Sequence, residues 1–127
     1  MTIETAPGTR PGSQPIHEPG CRSFQNTVEL VGRRWTSAIL LAGKRGARRF
    51  GEYRQAVQGI SDRLLAQRLK ELEAEGLISR TVIPTTPVQI RYALSADGEE
   101  LMSILQPLVD WSHRRCGPAE SGSADPA

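Results

Sequence analysis

ISDRLLAQRLKELEAEGLISRTVIPTTPVQIRYALS, residues Ile60–Ser95, decides the fold. Its first part repeats leucines at helical spacing and stops at Gly76, where a left-handed residue is needed to turn the chain out of a helix. Ser61 is a good N-cap, and Asp62 suits the positive start of a helix. Alternation then takes over: Leu77, Ser79, Thr81 and Ile83 oppose Ile78, Arg80 and Val82, the pattern of a half-buried strand. Pro84-Thr85-Thr86-Pro87 makes a tip, Val88 to Leu94 returns, and Ser95 opens a further helix. A helix followed directly by a two-stranded ribbon is the second half of a winged helix-turn-helix. The expected fold is therefore mainly α with a small β-wing.

At about 100° per residue, Leu65, Leu69 and Leu72 fall within a sector of roughly 60°, with Arg63, Gln67, Lys70 and Ala74 on the opposite side. An apolar seam behind and long donors in front is what a helix in the major groove of DNA needs. Arg63 and Lys70 can bind guanine or phosphate, Gln67 can read adenine, and Ser61 can donate to a phosphate. Any amphipathic surface helix shows this separation, and the ribbon that follows is what selects duplex DNA. Arg80 and Arg91, one on each strand, are candidates for backbone or minor-groove contacts.

Charge partition agrees. The net charge is +2, but residues 21–95 hold 13 Lys/Arg against 6 Asp/Glu, and the rest of the chain 3 against 8. The basic excess thus sits on the segment with the helix-turn-helix pattern, as expected of a phosphate binder. At 127 residues the chain suits one small domain. No apolar run approaches the roughly 18 residues of a membrane helix, and the N-terminus does not read as a secretory signal. The expectation is a cytoplasmic protein with no membrane contact.

Upstream, a helix is expected over Ser23–Val31, with Phe24, Val28 and Val31 on one face and Gly32 closing it. A second is expected from Trp35 to Ala42, with Trp35, Ile39 and Leu40 inward, broken by Gly43 and Gly46. Arg48, Arg49 and Phe50 read as a short strand pairing with the wing, and Gly51–Val57 as a short helix with Tyr53 and Val57 inward. Gln58-Gly59-Ile60 makes the tight turn. The last helix carries Leu101, Ile104, Leu105, Leu108 and Trp111 at helical spacing, and Pro107 should kink or split it. Residues 1–19 and 117–127 read as a flexible arm and tail, leaving 20–116 as the domain.

Gly32 with Trp35, Arg49-Phe50, Ile60-Ser61, the run Gln67-Arg68-Leu69-Lys70-Glu71-Leu72, Gly76-Leu77, Arg91-Tyr92-Ala93-Leu94-Ser95, and Gly98 with Trp111 together resemble the HxlR family. These are bacterial winged-helix transcription regulators related to the MarR group, and the resemblance covers roughly residues 21–111. It implies a homodimer built through the N- and C-terminal helices, with two recognition helices on successive major grooves of a near-palindromic site. The apolar stripe of the last helix suits this, since one small domain need not bury it alone. Pro107 departs from the family's usual placement of proline nearer the helix start.

Of the two cysteines, Cys21 stands just before the expected first helix, a position that resembles the sensing thiol of redox-responsive family members. Arg22 and the nearby helix start favour a thiolate there, although proline usually follows that cysteine in the family. In the implied dimer, Cys21 can pair with Cys116 of the other subunit, making an oxidant the effector. A small-molecule effector without thiol chemistry, bound near Trp35, Phe24 and Trp111, is the alternative, and a winged helix serving protein assembly a more distant one. No cofactor is implied. His17 and His113 have no second ligand or nucleophile at metal or triad spacing, so neither a metal site nor an enzyme is expected.

Overall fold

The computed structural model describes residues 19–123, with side chains described for 20–116. The chain divides into two compact units, one ending at Arg34 and the other beginning at Trp35. The expected arm, apart from Pro19, and the side chains of the expected tail lie outside the described residues.

The first unit contains helix α1 (Pro19–Val31). It begins four residues before the expected Ser23, because Pro19 suits a first helical turn, where no N–H is required. It ends as Gly32 donates to the Val28 carbonyl at 2.8 Å. Phe24 and Val28 share a face as expected, and both are exposed.

The second unit comprises α2 (Thr36–Lys44), α3 (Phe50–Ala56), α4 (Asp62–Ala74), a ribbon of β1 (Ile78–Ile83) and β2 (Gln89–Leu94), and α5 (Ala96–Ser123). Its core is formed by Ile39, Leu40, Tyr53, Leu65, Leu69, Leu72, Ile78 and Met102, all 2% exposed or less. Trp35 is not the first residue of α2 but its cap, at φ 78°, a left-handed conformation uncommon for a bulky residue. Gly43 does not break α2. It is buried inside the helix, where a Cβ would come 3.0 Å from the Tyr53 hydroxyl and 3.3 Å from Leu94. The break falls at Gly46, whose φ is 113°.

The expected strand at Arg48–Phe50 does not form. Phe50 begins α3, and the wing gains one bond instead: the Tyr92 N–H donates to the Arg48 carbonyl at 2.7 Å. Gly59 turns the chain between α3 and α4 at φ 94°, with the Trp35 ring close above it. At the other end of α4, Gly76 (φ 79°) donates to the Glu73 carbonyl and Leu77 to that of Leu72. This pair of bonds is a Schellman ending.

β1 and β2 pair antiparallel, with Ile78 opposite Leu94 and Ile83 opposite Gln89. Only the base of the ribbon is packed. Ile78 and Leu94 are buried, whereas Ser79 through Val82 are all exposed, so the expected half-buried alternation of β1 is lost where the ribbon leaves the core. α5 runs through Pro107 without being split. Met102 is its buried anchor, and Ile104, Leu108 and Trp111 are exposed.

Candidate nucleic-acid interface

α4 presents the face anticipated for it. Leu65, Leu69 and Leu72 are buried, which leaves Arg63, Gln67 and Lys70 exposed on the far side. Burial of three leucines fixes the rotation of the helix, and the long donors follow from it. The Ser61 hydroxyl oxygen accepts from the Leu64 N–H at 3.1 Å, capping the helix while its own proton stays available to an acceptor. Asp62, the first residue of α4, takes Arg54 of α3 at 3.0 Å. That ion pair is solvent-exposed and contributes little stability, but it joins the two helices of the helix-turn-helix.

Among the described residues, neither Arg63 nor Lys70 has an acidic partner. Gln67 is different: its Nε2 donates to Glu71 at 3.2 Å, and Arg68 donates to the same carboxylate at 3.1 Å. Reading adenine uses both ends of the Gln67 amide, and the bond to Glu71 occupies one of its two N–H donors.

On the wing, register separates the two arginines. Arg80 stands opposite Tyr92, and Arg91 opposite Thr81. Because successive side chains alternate faces, Arg80 shares a face with Val82, Ile90 and Tyr92, and Arg91 shares the other with Ser79, Thr81 and Gln89. The sequence alone does not show this division, since it depends on the pairing.

The start of α3 adjoins the Arg91 face. Arg49 donates to the Gln89 side chain at 3.2 Å. Glu52 accepts from the backbone N–H groups of Arg48 at 2.7 Å and Arg49 at 3.1 Å. Those two bonds, aided by the charges of Arg49 and Arg91, hold its carboxyl below the usual carboxylate range. Arg48 turns away and donates to the carbonyls of Gly43 and Ala47 at 2.9 and 2.7 Å. Neither Arg49 nor Gln89 was singled out as a contact from the sequence. The doubled arginine at 48–49 was the available signal, and it does not say which of the two faces outward.

Cys21 lies within the first turn of α1, not before the helix, and is half-buried, whereas Cys116 on α5 is exposed. No group of three or more His, Cys, Asp or Glu able to hold a metal ion occurs among the described residues. A cleft of about 350 Å³ between α2 and α3 is lined by residues that include Ala38, Ala42, Arg45, Glu52 and Ala56. Trp35 and Trp111, near which a ligand was anticipated, do not line it. No helix of the described residues is long and apolar enough to cross a membrane.

A helix-turn-helix joined to a projecting ribbon, with an exposed basic face on its second helix, defines a winged helix-turn-helix DNA-binding transcription regulator. The chain belongs to the HxlR-like helix-turn-helix family, whose profile matches residues 30–120. It is 38% identical over 99 residues to the uncharacterised regulator YvaP of Bacillus subtilis, covering 78% of this chain and 92% of that one. To the regulator YodB of the same organism it is 34% identical over 101 residues, 80% of this chain and 90% of YodB. The structure of reduced YodB superposes with a TM-score of 0.68 at 35% identity, over 77% of this chain and 96% of that one. The reduced form of the redox regulator HypR gives 0.70 at 28% identity, over 78% and 98%.

Proposed function

We propose that this regulator binds a near-palindromic operator as a homodimer and is switched by thiol oxidation or electrophiles at Cys21. The observation that carries the DNA part is the exposed row Arg63, Gln67 and Lys70 over a buried leucine seam on α4. Arg63 and Gln67 read base edges, Lys70 and Ser61 hold phosphates, and the wing supplies further backbone contacts.

The exposed Ile104, Leu108 and Trp111 of α5 and Phe24 and Val28 of α1 support assembly through the terminal helices. A dimer places two recognition helices about 34 Å apart, one turn of duplex. For the switch, Cys21 of one subunit pairs with Cys116 of the other, and both thiolates are oxidised as diamide or a similar two-electron oxidant is reduced. YodB has been crystallised after diamide treatment, and HypR is a redox regulator. That similarity favours thiol chemistry over the alternative of a non-covalent effector. The proposed location is the cytoplasm, where a disulfide is transient and therefore usable as a signal.

Fragments of the source genome retained by the protein give the operator. Non-reducing electrophoresis and operator binding are then measured before and after diamide for the wild type, Cys21→Ser and Cys116→Ser. The expected result is a covalent dimer with altered operator affinity in the wild type, and neither in Cys21→Ser. Operator binding that survives diamide unchanged, with no covalent dimer or adduct, leaves the regulator but removes the thiol switch.

A further inference from the structure

Two arginines adjoin at positions 48 and 49, and the structure gives them opposite tasks. Arg48 is spent internally on the carbonyls of Gly43 and Ala47. Arg49 is exposed and reaches across to the wing, donating to the Gln89 side chain at 3.2 Å. Two residues along the same strand, on the same face, stands Arg91, also exposed. Three residues from two elements thus come together where the wing meets the start of α3.

The backbone beneath them is fastened. The Tyr92 N–H donates to the Arg48 carbonyl at 2.7 Å, and the Tyr92 carbonyl accepts the Tyr53 hydroxyl proton at 2.8 Å. Arg49 follows the first of these anchors and Arg91 precedes the residue that makes both, so the two arginines spring from one fastened stretch of backbone. Glu52, whose carboxylate feels the charges of both arginines, has one oxygen committed to two backbone N–H groups, and the group of Arg49, Arg91 and Glu52 keeps a net positive charge. The opposite face of the ribbon differs: there Arg80 stands with the exposed apolar pair Val82 and Ile90, which gains nothing from a phosphate.

We propose that Arg49 and Arg91 form a seat for one backbone phosphate of duplex DNA, with Gln89 as the positioning residue that holds the Arg49 guanidinium. The planar guanidinium forks match phosphate oxygens, which a lysine meets only as a point charge. The wing therefore grips DNA with its Gln89–Arg91 face, and Arg80 takes no part. This rests on the reading that the chain binds duplex DNA, and it adds Arg49 to that interface and removes Arg80.

The test uses the full chain and a random-sequence duplex of about 30 base pairs, because phosphate contacts act without regard to sequence. Affinity is followed by fluorescence anisotropy across a salt series for the wild type, Arg49→Gln, Arg91→Gln, the double variant and Arg80→Gln, with thermal melts confirming each fold. Arg49→Gln and Arg91→Gln each weaken binding several-fold and flatten the salt dependence. The double variant loses less than the product of the two, since both side chains serve one phosphate, and Arg80→Gln stays within two-fold of wild type. Gln89→Ala weakens binding by less than Arg49→Gln. An Arg49→Gln variant indistinguishable from wild type, or an Arg80→Gln loss equal to that of Arg91→Gln, overturns the seat while leaving DNA binding in place. A folded wild type without affinity for duplex removes the DNA reading itself.

Discussion

The Tyr53 hydroxyl donates to the Tyr92 carbonyl at 2.8 Å, and the two rings meet edge to face with centroids 6.4 Å apart. This contact ties α3 to β2 and so fixes the wing relative to the helix-turn-helix. Tyr53→Phe leaves a carbonyl without its donor, which costs about 1–3 kcal/mol and is read from urea unfolding. Burial also pushes the Tyr53 phenol up to about 12, with the charge of Arg48 opposing the rise and that of Glu52 adding to it. Its ionised form is favoured less in the folded chain than in the unfolded chain. The stabilisation from the neutral phenol is therefore complete below pH about 10 and is lost as pH rises from there towards 12. Urea midpoints measured from pH 8 to 11.5 should fall steeply at the alkaline end in the wild type and more gently in Tyr53→Phe.

Gly98 lies in the first turn of α5, where a Cβ would stand 2.1 Å from the Leu77 carbonyl oxygen. That oxygen already accepts the Ser95 N–H at 2.9 Å, and the Ser95 hydroxyl both accepts from the Gly98 N–H at 3.0 Å and donates to the Gly76 carbonyl. Neither backbone segment can move aside cheaply. Gly98→Ala is expected to cost roughly 3 kcal/mol or more, visible as a large drop in melting temperature. A variant that melts with the wild type would mean that α5 and Leu77 are not in close contact in solution.

Gln67 and Lys70 stand one turn apart on α4 but should fail differently. Lys70→Ala is expected to weaken binding about equally for all sequences and to lower the salt slope by about one. Gln67→Ala should leave the salt slope alone and relax preference at one base position by about 1–3 kcal/mol. Glu71→Gln, which frees the Gln67 amide from a charged acceptor, is expected to strengthen operator binding modestly. Titrations of operator against random duplex separate these outcomes.

Leu108 is 54% exposed on α5, and a carboxylate there would have to be desolvated in any helix-to-helix seam. Leu108→Glu should sediment as a monomer while keeping its thermal fold. Its operator affinity should then fall by roughly 10²-fold or more, because the second half-site is no longer held by the first. A dimeric Leu108→Glu places the seam elsewhere on the chain.

Much of the protein was legible locally. The leucine period of α4, the Ser61 cap, and the left-handed glycines at 59 and 76 depend on residues within one turn of each other, so short-range chemistry specifies them. The basic segment and the apolar stripe of α5 were equally plain, being properties of composition and period. What only the tertiary structure decided depends on partners distant in sequence. Gly43 stays inside α2 because Tyr53 and Leu94 close over it. Arg48–Phe50 makes one bond to the wing instead of a strand, because Phe50 is drawn into α3. The division of the wing into an Arg91 face and an Arg80 face follows from strand register, and the opposite fates of Arg48 and Arg49 follow from which carbonyls each can reach. A helix writes its face into its own sequence through a fixed period, whereas a two-stranded ribbon that leaves the core buries too few side chains for its pattern to show which face meets a partner.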